Sequence, residues 1–353
     1  MVPDARSSDG AGVPPARALA GAGLSVLAVT NIFPNIRSPS SGTFVERQIA
    51  GLRAIGVDVE VMFVDREAEG RGTYRRVKGR VRTALSGRAH DMVHVMYGGV
   101  LADVTTRATG APTVVSFCGS DLAGAKRSGL LREVTAGYGI LASHRAAKRA
   151  AGVIVKSAGL RDALPDEVDR ARVRVIPNGV DFERFRPLPV HECRRRVGWR
   201  DDDFHVVFHD RGDPDKRLDL ARAACDELRR RGAPVCLHLM KSLAHDQVPQ
   251  WLNAADVLLL TSLHEGSPNT VKEALACDRP VVSTDVGDVR ERIEGIDGCW
   301  IADPDPVDLA DKLAAVYQRP SPRTVAGRSS ISGLSLEAVA HRIANFYADI
   351  LND

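Results

Sequence analysis

Short apolar runs rich in Val, Ile and Leu alternate with helical patterns along nearly the whole chain of 353 residues. The runs are continuous in hydrophobicity, as in strands that are buried on both faces. Buried strands that alternate with helices predict parallel sheets covered by helices on both sides, the α/β class. The predicted strands are 24–30, 57–64, 92–97, 112–117, 152–156, 172–176, 204–209, 234–240, 255–261, 280–284 and 298–301.

The chain is longer than one hydrophobic core usually serves, and a Pro-rich irregular segment at 175–189 divides it. We therefore predict two doubly wound, Rossmann-like domains that face a central cleft, with the last helix crossing back to the first domain. The predicted divisions are a disordered leader at 1–20, a first domain at 21–177, a second at 178–334 and a returning helix at 335–353.

The composition restricts where the protein is expected to be located and which kinds of site it is expected to contain. No apolar run approaches the roughly 18 residues of a membrane span. The apolar stretch at 18–29 follows Asp4 and Asp9, which is atypical of a signal peptide. The six cysteines include no CxxC pair, so we expect reduced, packed thiols and neither a zinc site nor a disulfide framework. A cytoplasmic protein is the expectation, at most peripheral to the inner face of a membrane.

The net charge of +3 is unevenly spread, with a basic first half and an acidic second half. The basic half, and the basic run at 71–88 in particular, is either a solvated surface or a patch that faces an acidic acceptor or an anionic membrane. Aromatic residues make up 5% of the chain and do not interleave with basic ones. No nucleic-acid partner is therefore expected.

Two phosphate-binding motifs are excluded. No G-x-G-x-x-G follows the first predicted strand, so the dinucleotide fingerprint is missing. The segment GSDLAGAK at 119–126 resembles a P-loop, but Ala125 separates Gly124 from Lys126, and Arg127 replaces the hydroxyl residue.

The segment HEGSPNTVKEALACDRPVV at 264–282 follows a predicted buried strand and carries Glu265 and Glu273. Ser267 is predicted to cap a helix whose first residue is Pro268, and its free N–H groups would face the same sheet edge as two cations. Arg211 and Lys216 lie five residues apart on a strand–turn–helix pattern. Together these groups predict a diphosphate site that needs no metal ion.

Several motifs resemble glycosyltransferase family 4, the retaining nucleotide-sugar-dependent enzymes of the GT-B fold. EGSPNTVKEALACDRPVV resembles the E-x7-E signature, VIPNGVDFERFRP at 175–187 the domain junction, and DRGDPDK at 210–216 the Arg-x4-Lys phosphate clamp. DMVHVMYGG at 91–99 and VVSFCGSDLAG at 114–124 are similar to strand ends of the first domain. The resemblance covers nearly the whole chain from about residue 23.

The resemblance implies a role for each matching residue. Glu265 would contact the transferred sugar, and Glu273 would accept both hydroxyls of the nucleotide ribose. Arg211 and Lys216 would hold the diphosphate, and with Glu265 they form the catalytic set. The backbone completes the donor site, at Gly42 in the loop at 38–44 and at Gly266, Ser267, Pro268, Asn269 and Thr270.

The chain departs from the family pattern at four positions. Cys118 replaces a frequent His near the sugar and acceptor, and Met96 stands where a second His is frequent. Asp278 replaces a Gly after the E-x7-E helix, where Asp is able to adopt the left-handed cap conformation. Asp210 precedes the clamp Arg in place of Gly and could weaken anion binding there.

Three polar residues have competing interpretations. Asp121 either caps the following helix or faces the acceptor hydroxyl. His94, at a strand end, is predicted to be a packed histidine, although a place near the acceptor or sugar stays open, as for Cys118. His264 has no second ligand at helical spacing, so no metal site is predicted there.

The sequence therefore predicts a retaining, metal-independent glycosyltransferase that uses no cofactor. Its donor would be a nucleoside-diphosphate sugar, with UDP or GDP expected, and its acceptor a hydroxyl of a saccharide, a small molecule or a lipid-linked sugar. One alternative is a nucleotide-sugar epimerase or phosphorylase of the same fold. Another is a non-catalytic sugar-nucleotide-binding paralogue, which the Cys118 substitution would favour.

Overall fold

The computed structural model describes residues 23–38, 41–70, 72–122, 124, 130–241 and 243–353. The leader predicted at 1–20 lies outside the described residues. None of the helices in these ranges is long and apolar enough to cross a membrane.

The described residues form two parallel sheets. The first has six strands in the order β2-β1-β3-β4-β5-β6, and the second has five in the order β11-β10-β9-β7-β8. The strand bounds, β1 to β11 in chain order, are Ser25–Thr30, Asp58–Phe63, Met92–Val95, Thr113–Phe117, Gly152–Val155, Val173–Val175, Phe204–Phe208, Val235–Leu239, Val257–Leu260, Val281–Thr284 and Trp300–Ala302.

Helices cover both faces of each sheet. Their bounds, α1 to α14 in chain order, are Thr43–Ala54, Arg66–Glu69, Thr73–Gly87, Val100–Thr106, Leu130–Arg149, Ala158–Asp162, Val190–Val197, Leu218–Arg230, Val248–Ala254, Asn269–Ala276, Val289–Ile293, Pro306–Tyr317, Gly327–Ser330 and Leu336–Asn352. The short 3₁₀ turns are Arg170–Arg172, Pro214–Lys216 and Ser332–Leu334.

Each strand order reverses once, between β1 and β3 in the first sheet and between β7 and β9 in the second. The loops that leave neighbouring strands on the two sides of such a point diverge, which opens a crevice at the carboxyl edge of the sheet. The loops after β1, β3, β7 and β9 all contribute residues to one cleft between the sheets. The topology alone therefore fixes where a ligand is to be sought.

The last helix, α14, packs on the first domain. Gly51 of α1 lies against the carbonyl oxygen of Leu336, so close that an added Cβ would stand 3.3 Å from it. Near the other end of α14, the Tyr347 hydroxyl bonds the ring of His94 in β3. The predicted fold of two doubly wound sheets with a returning helix is confirmed, and the domain boundaries stay a prediction.

The start of α10 differs from the sequence prediction. The helix begins at Asn269, Pro268 occupies the capping position, and no side chain caps the helix. The Ser267 hydroxyl instead donates to the Asp288 carboxylate at 2.8 Å. A stronger, charged acceptor thus takes the hydroxyl that would have capped the helix, and the first amides of α10 are left to face the cleft.

The Asp278 substitution is structural, as predicted. Asp278 follows α10 with φ = 53°, in the left-handed region. Its carboxylate accepts a hydrogen bond of 2.8 Å from the Arg328 backbone N–H. Arg328 in turn donates from its guanidinium to the carbonyl oxygens of Phe182 and Phe185. Asp278, through Arg328, therefore connects the end of α10 to the domain junction.

Candidate active site

The cleft between the two sheets holds a cavity of about 670 Å³. Its walls include every residue that the sequence assigned to donor binding, together with Cys118. The first domain contributes Ile32, Ser41, Gly42, Thr43, Phe44, Tyr97 and Cys118, and the junction contributes Asn178. The second domain contributes His209, Asp210, Arg211, Lys216, Met240, Lys241, Leu243, His245, Val248, Leu260, Glu265, Gly266, Ser267, Pro268, Asn269, Thr270 and Glu273.

Glu265 and Lys216 form an ion pair in the floor of this cleft. Only 14% of the Glu265 side chain and 17% of the Lys216 side chain are exposed, so the pair is largely withdrawn from water. The Ser262 hydroxyl donates a second hydrogen bond to the same carboxylate at 2.8 Å. The loop after β9 thus presents a carboxylate that is held by a cation and a hydroxyl.

The two loops that carry this pair are bound to each other. The Thr261 hydroxyl contacts the carbonyl oxygens of Lys216 and Arg217 at 2.8 and 2.9 Å. The Leu263 amide donates to the Asp215 carbonyl at 2.8 Å. Because three hydrogen bonds join the loops, the Lys216 ammonium and the Glu265 carboxylate are positioned by backbone as well as by their own attraction.

Arg211 stands at the cleft mouth beside this pair. It is exposed, and it makes no hydrogen bond or ion pair with the part of the chain that the structure describes. The preceding Asp210 is buried, accepts from the Gly212 amide at 2.7 Å and lies 3.9 Å from the Lys241 ammonium. Asp210 therefore shapes the turn, and Lys241 offsets part of its charge.

The segment before α10 is in close contact with the first domain. An added Cβ on Gly266 would lie 2.2 Å from the carbonyl oxygen of Cys118. Gly287, with φ = +59°, approaches from the other side, and an added Cβ there would lie 2.6 Å from the Gly266 carbonyl oxygen. Glycine at both positions lets three backbone segments meet beside the first amides of α10.

A buried lysine, Lys272, contacts the segment before α10. Lys272 is fully buried and donates to the Ser267 hydroxyl and to the Asn178 carbonyl, both at 3.0 Å. Burial lowers the pKa of Lys272 to about 7, opposed by the nearby Asp288 carboxylate. Ser267 and Asp288 share this network with Arg292, which lies 2.8 Å from Asp288.

Glu273 lies at the other end of the cavity, and its side chain is 12% exposed. The Arg47 guanidinium of α1 is 3.6 Å away, so this ion pair joins the two domains. Burial raises the pKa of Glu273, and the attraction of Arg47 and Lys272 opposes that rise. Burying the charged Glu273 carboxylate without a partner would be unfavourable. The positive charge of Arg47 is the main interaction that offsets this cost.

His245 links Arg47 to a second arginine. The Arg184 guanidinium donates to His245 Nδ1 at 2.7 Å, and Arg47 contacts the same ring. Burial, together with these two cations, lowers the pKa of His245 to about 4. At neutral pH the ring is therefore uncharged and accepts a hydrogen bond beside Glu273.

Gly42 lies at the start of α1, where the first domain closes the cleft. Its φ is 69°, and an added Cβ would lie 2.5 Å from the Ile32 carbonyl. Both the backbone conformation and the close approach therefore require glycine. Gly42 lines the cavity, as expected for the loop at 38–44. Pro39 and Ser40 of that loop lie outside the described residues.

Two family models match consecutive parts of the sequence. The model described as "Glycosyl transferase 4-like domain" matches residues 15–179, and the one described as "Glycosyl transferases group 1" matches residues 190–319. The chain belongs to glycosyltransferase family 4.

Curated relatives resemble parts of this family 4 protein. A D-inositol 3-phosphate glycosyltransferase of Frankia alni is 29% identical over 231 residues, which are 55% of this chain and 56% of that protein. The protein of the same name from Saccharomonospora viridis is 30% identical over 206 residues, 48% of this chain and 47% of that one. The chain thus matches about half the length of these relatives.

Solved structures share the fold over almost the full length. Sucrose-phosphate synthase from Thermosynechococcus elongatus superposes with a TM-score of 0.76 at 16% identity, covering 93% of this chain and 99% of that one. Anabaena Alr3699/HepE in complex with UDP-glucose gives a TM-score of 0.67 at 19% identity, covering 91% and 98%. The fold of this family 4 chain is therefore GT-B, as the sequence resemblance implied.

His94 does not lie in the cleft of this family 4 protein. It is fully buried in β3, where its Nε2 lies 2.8 Å from the Ser116 hydroxyl and its Nδ1 contacts Tyr347. It does not line the cavity, and its contacts are those of the packed histidine that the sequence analysis favoured. Burial, and then the charge of Lys156, lowers its pKa to about 3.

This buried histidine predicts a specific acid lability. The pKa of His94 is 6.5 when unperturbed and about 3 in the fold, so the unfolded chain binds more protons between these values. Stability should therefore fall as the pH drops below 6.5, by roughly 2–3 kcal/mol at pH 4.5 from this residue. Urea unfolding at pH 7 and pH 4.5 should show this loss in the parent and a smaller loss in His94→Gln.

The matched control for that experiment is His341→Gln, because the His341 side chain is 49% exposed. The control should lose as much stability between the two pH values as the parent does. Equal losses in the parent and in His94→Gln would contradict a buried, neutral His94.

Asp121 turns its carboxylate toward backbone amides. One oxygen accepts from Gly119 at 2.8 Å and from Cys118 at 2.9 Å, and the other accepts from Gly98 at 2.9 Å. The loops after β3 and β4 are thereby bound together. Asp121 does not line the cavity, and the start of the helix that it was predicted to cap lies outside the described residues, so its two predicted roles, helix cap and acceptor contact, stay predictions.

Cys118, by contrast, does line the cavity, and its thiol lies 3.9 Å from the Met96 carbonyl. Burial, and then the charge of Asp121, raises the pKa of Cys118 to about 12. The residue is therefore a neutral thiol in the place where family 4 members frequently have a histidine.

Several site residues were not found from the sequence. Arg47, Asn178, His245 and Lys272 belong to the cleft or to its immediate support, and Lys156 is a second buried lysine, 3.3 Å from Gln48. For Lys272 the sequence shows no clear signal, because Asn269, Thr270 and Glu273 are polar neighbours in the same turns of α10. For Arg47 and His245 no local pattern exists, since their role depends on packing between domains.

Proposed function

We propose that this protein is a retaining glycosyltransferase that moves a sugar from a nucleoside diphosphate to an acceptor hydroxyl without a metal ion. The observation that carries the proposal is the Lys216–Glu265 ion pair, which lies beside the first amides of α10 and shares one cavity with Glu273. Under this proposal, Lys216 would be the cation beside the departing diphosphate and Glu265 the carboxylate beside the sugar.

Departure of the diphosphate is the step that these residues assist. Negative charge grows on the bridging oxygen as the bond to the sugar breaks. The Lys216 ammonium and the uncapped amides of α10 are donors for that charge that are held in place before the reaction begins, and the exposed Arg211 guanidinium is a further donor. A partly buried site strengthens each of these interactions relative to water.

Donor binding should exchange partners in the cleft. A donor diphosphate would compete with Glu265 for the Lys216 ammonium. The Glu265 carboxylate, still bonded to Ser262, would then accept hydrogen bonds from the sugar hydroxyls. This exchange keeps both charges compensated, which matters because an unpaired buried charge is strongly destabilising.

Glu273 would bind the ribose, since a carboxylate offers two oxygens to a cis-diol. Arg47 would remain on the outer side of that carboxylate and bring the first domain to the nucleotide. UDP is the first donor to test, because Anabaena Alr3699/HepE has been solved in complex with UDP-glucose. The acceptor would enter from the first-domain wall formed by Tyr97, Cys118 and Phe44.

The reaction itself separates the proposal from its alternatives. Purified protein in EDTA should be incubated with UDP-glucose, UDP-N-acetylglucosamine and GDP-mannose, with and without a panel of saccharide and polyol acceptors. We expect free nucleoside diphosphate and a product whose anomeric configuration equals that of the donor by NMR. A converted sugar still attached to its nucleotide would indicate an epimerase. Binding without any turnover would support the non-catalytic paralogue.

The Gly266 contact gives a second test. Gly266→Ala places a methyl group 2.2 Å from the Cys118 carbonyl, so the two domains must separate at that point. We expect kcat/KM for the donor to fall about 100-fold, because a displacement near 1 Å in the reacting geometry has that cost. Gly79→Ala is the control, since a Cβ there meets nothing within 4 Å. Unchanged turnover in Gly266→Ala would show that this contact does not position the site.

A further inference from the structure

Two histidines and a cysteine lie together in the second sheet, away from the cleft. His205 of β7 pairs directly with Cys236 of β8, and His238 follows two residues later on the same strand. Side chains alternate along a strand, and directly paired residues point to the same face. The strand register therefore brings all three side chains to one face of the sheet.

Their potential ligand atoms are close enough for one ion. The His205 and His238 nitrogens and the Cys236 sulfur all lie within 4.8 Å of one another. His205 Nδ1 and His238 Nε2 are 3.0 Å apart. Two nitrogens bound to a tetrahedral zinc ion at about 2.0–2.1 Å stand about 3.3 Å apart, so a small rotation of either ring would suffice.

The orientation of His205 also suits a ligand. Its Nε2 lies 2.5 Å from the Arg200 carbonyl oxygen, and a carbonyl only accepts, so Nε2 carries the proton. Nδ1 then has its lone pair directed toward His238 and Cys236. A ring N–H donated to a backbone carbonyl is the usual second contact of a metal-binding histidine, because it fixes both tautomer and ring orientation.

Two tryptophans fix the position of the His238 ring. Trp199 stacks on His238 with ring centroids 3.6 Å apart and an angle of 13° between the planes. Trp251 of α9 meets the Trp199 ring edge-on at 5.2 Å. His205 is buried, whereas Cys236 and His238 are half-buried on the edge strand, so an ion could enter from solvent.

We propose that His205, Cys236 and His238 bind a divalent ion of the zinc type, which acts as a structural clamp between β7 and β8. Thiolate and imidazole together suit Zn²⁺ and its substitute Co²⁺. Binding releases the Cys236 thiol proton to the buffer, and the proton that His238 Nε2 donates to His205 Nδ1 moves to His238 Nδ1, which leaves both facing nitrogens free for the ion. A fourth ligand is available from water or from Asp203, which accepts a hydrogen bond from the Cys236 thiol.

The clamp would act on the wall of the donor cleft. β8 ends at Leu239, and the chain then supplies Met240, Lys241, Leu243, His245 and Val248 to the cavity wall before α9 continues to Trp251. An ion at this position would fix both ends of that segment. Its absence would loosen the wall without touching the catalytic groups.

Cobalt gives a direct test, because a thiolate bound to Co²⁺ has a charge-transfer absorption band in the near ultraviolet. Reduced full-length protein, freed of metal by chelation, should bind one Co²⁺ with this band, and Zn²⁺ should displace it. Cys236→Ser should abolish the band, and His238→Gln should weaken Co²⁺ binding at least tenfold. His341→Gln, an exposed histidine outside the cluster, should bind as the parent does. Asp203→Asn distinguishes a carboxylate from a water as the fourth ligand.

Circular dichroism of each variant establishes that it is folded, and thermal denaturation gives an independent readout. Added Zn²⁺ should raise the Tm of the parent and of His341→Gln but not that of Cys236→Ser. A parent without the band, or a band that survives in folded Cys236→Ser, would overturn the proposal.

Discussion

Replacing Lys216 with alanine should lower kcat by about 100- to 1,000-fold, the cost of removing one preorganised donor to a developing negative charge. Lys216 lies in the floor of the cleft, where it pairs with Glu265 and its carbonyl oxygen accepts a hydrogen bond from the Thr261 hydroxyl. The donor diphosphate would depart beside it. The donor KM should change less than kcat, because Arg211 and the α10 amides still bind the ground-state phosphates.

Two companion variants make the Lys216 result interpretable. Lys148→Ala removes another lysine that pairs with a glutamate, Glu167, but its side chain is 41% exposed and does not line the cavity. That control should retain full turnover. Arg211→Ala should reduce kcat as well, and the double variant should be less active than either single one. A folded double variant that keeps full activity would contradict the assignment of these two cations to the leaving group.

Replacing Glu273 with alanine should raise the donor KM by roughly 10- to 100-fold, since hydrogen bonds to a charged group contribute about 1.5–3 kcal/mol. The effect on kcat should be smaller, because the ribose is remote from the reacting carbon. Glu273→Gln should lie between the parent and the alanine variant. Steady-state kinetics with varied donor concentration separates the two parameters.

Arg47 supplies a check on the same account. Arg47→Met removes the cation 3.6 Å from Glu273 but keeps most of the side-chain volume. We expect an increase in donor KM that is smaller than that of Glu273→Ala, because the carboxylate stays. Glu46→Gln, an exposed neighbour on α1, should leave both parameters unchanged. A donor KM unaffected by Glu273→Ala would contradict a ribose contact.

The fold was predictable from the sequence because its signal is local. Uninterrupted apolar strands such as Gly152–Val155 and Val257–Leu260 are buried on both faces, and that burial is visible as continuous hydrophobicity. The E-x7-E segment was equally visible, since strand, turn and helix follow one another within it. The family resemblance and the GT-B fold drawn from these segments are both confirmed.

Other features depend on contacts between distant segments. Ser267 looked like a helix cap, and only the fold reveals that Asp288 competes for its hydroxyl. The Asp121 carboxylate accepts hydrogen bonds from amides of two loops, contacts that no local sequence pattern shows. Cys236 and His238 occupy alternate positions of one strand, a pattern that sequence can show, whereas their pairing with His205 requires the strand order.

The proposed function requires that the cleft binds a nucleoside diphosphate between Lys216 and Glu273. Isothermal titration calorimetry with UDP, GDP, ADP and dTDP, without added Mg²⁺ or Mn²⁺, tests it most directly, using the parent, Lys216→Ala, Glu273→Ala and Lys148→Ala. We expect one nucleotide to bind with a clear preference, more weakly in the two cleft variants and as in the parent for Lys148→Ala. Equal binding in all four proteins, or no binding of any nucleotide by the parent, would contradict the account.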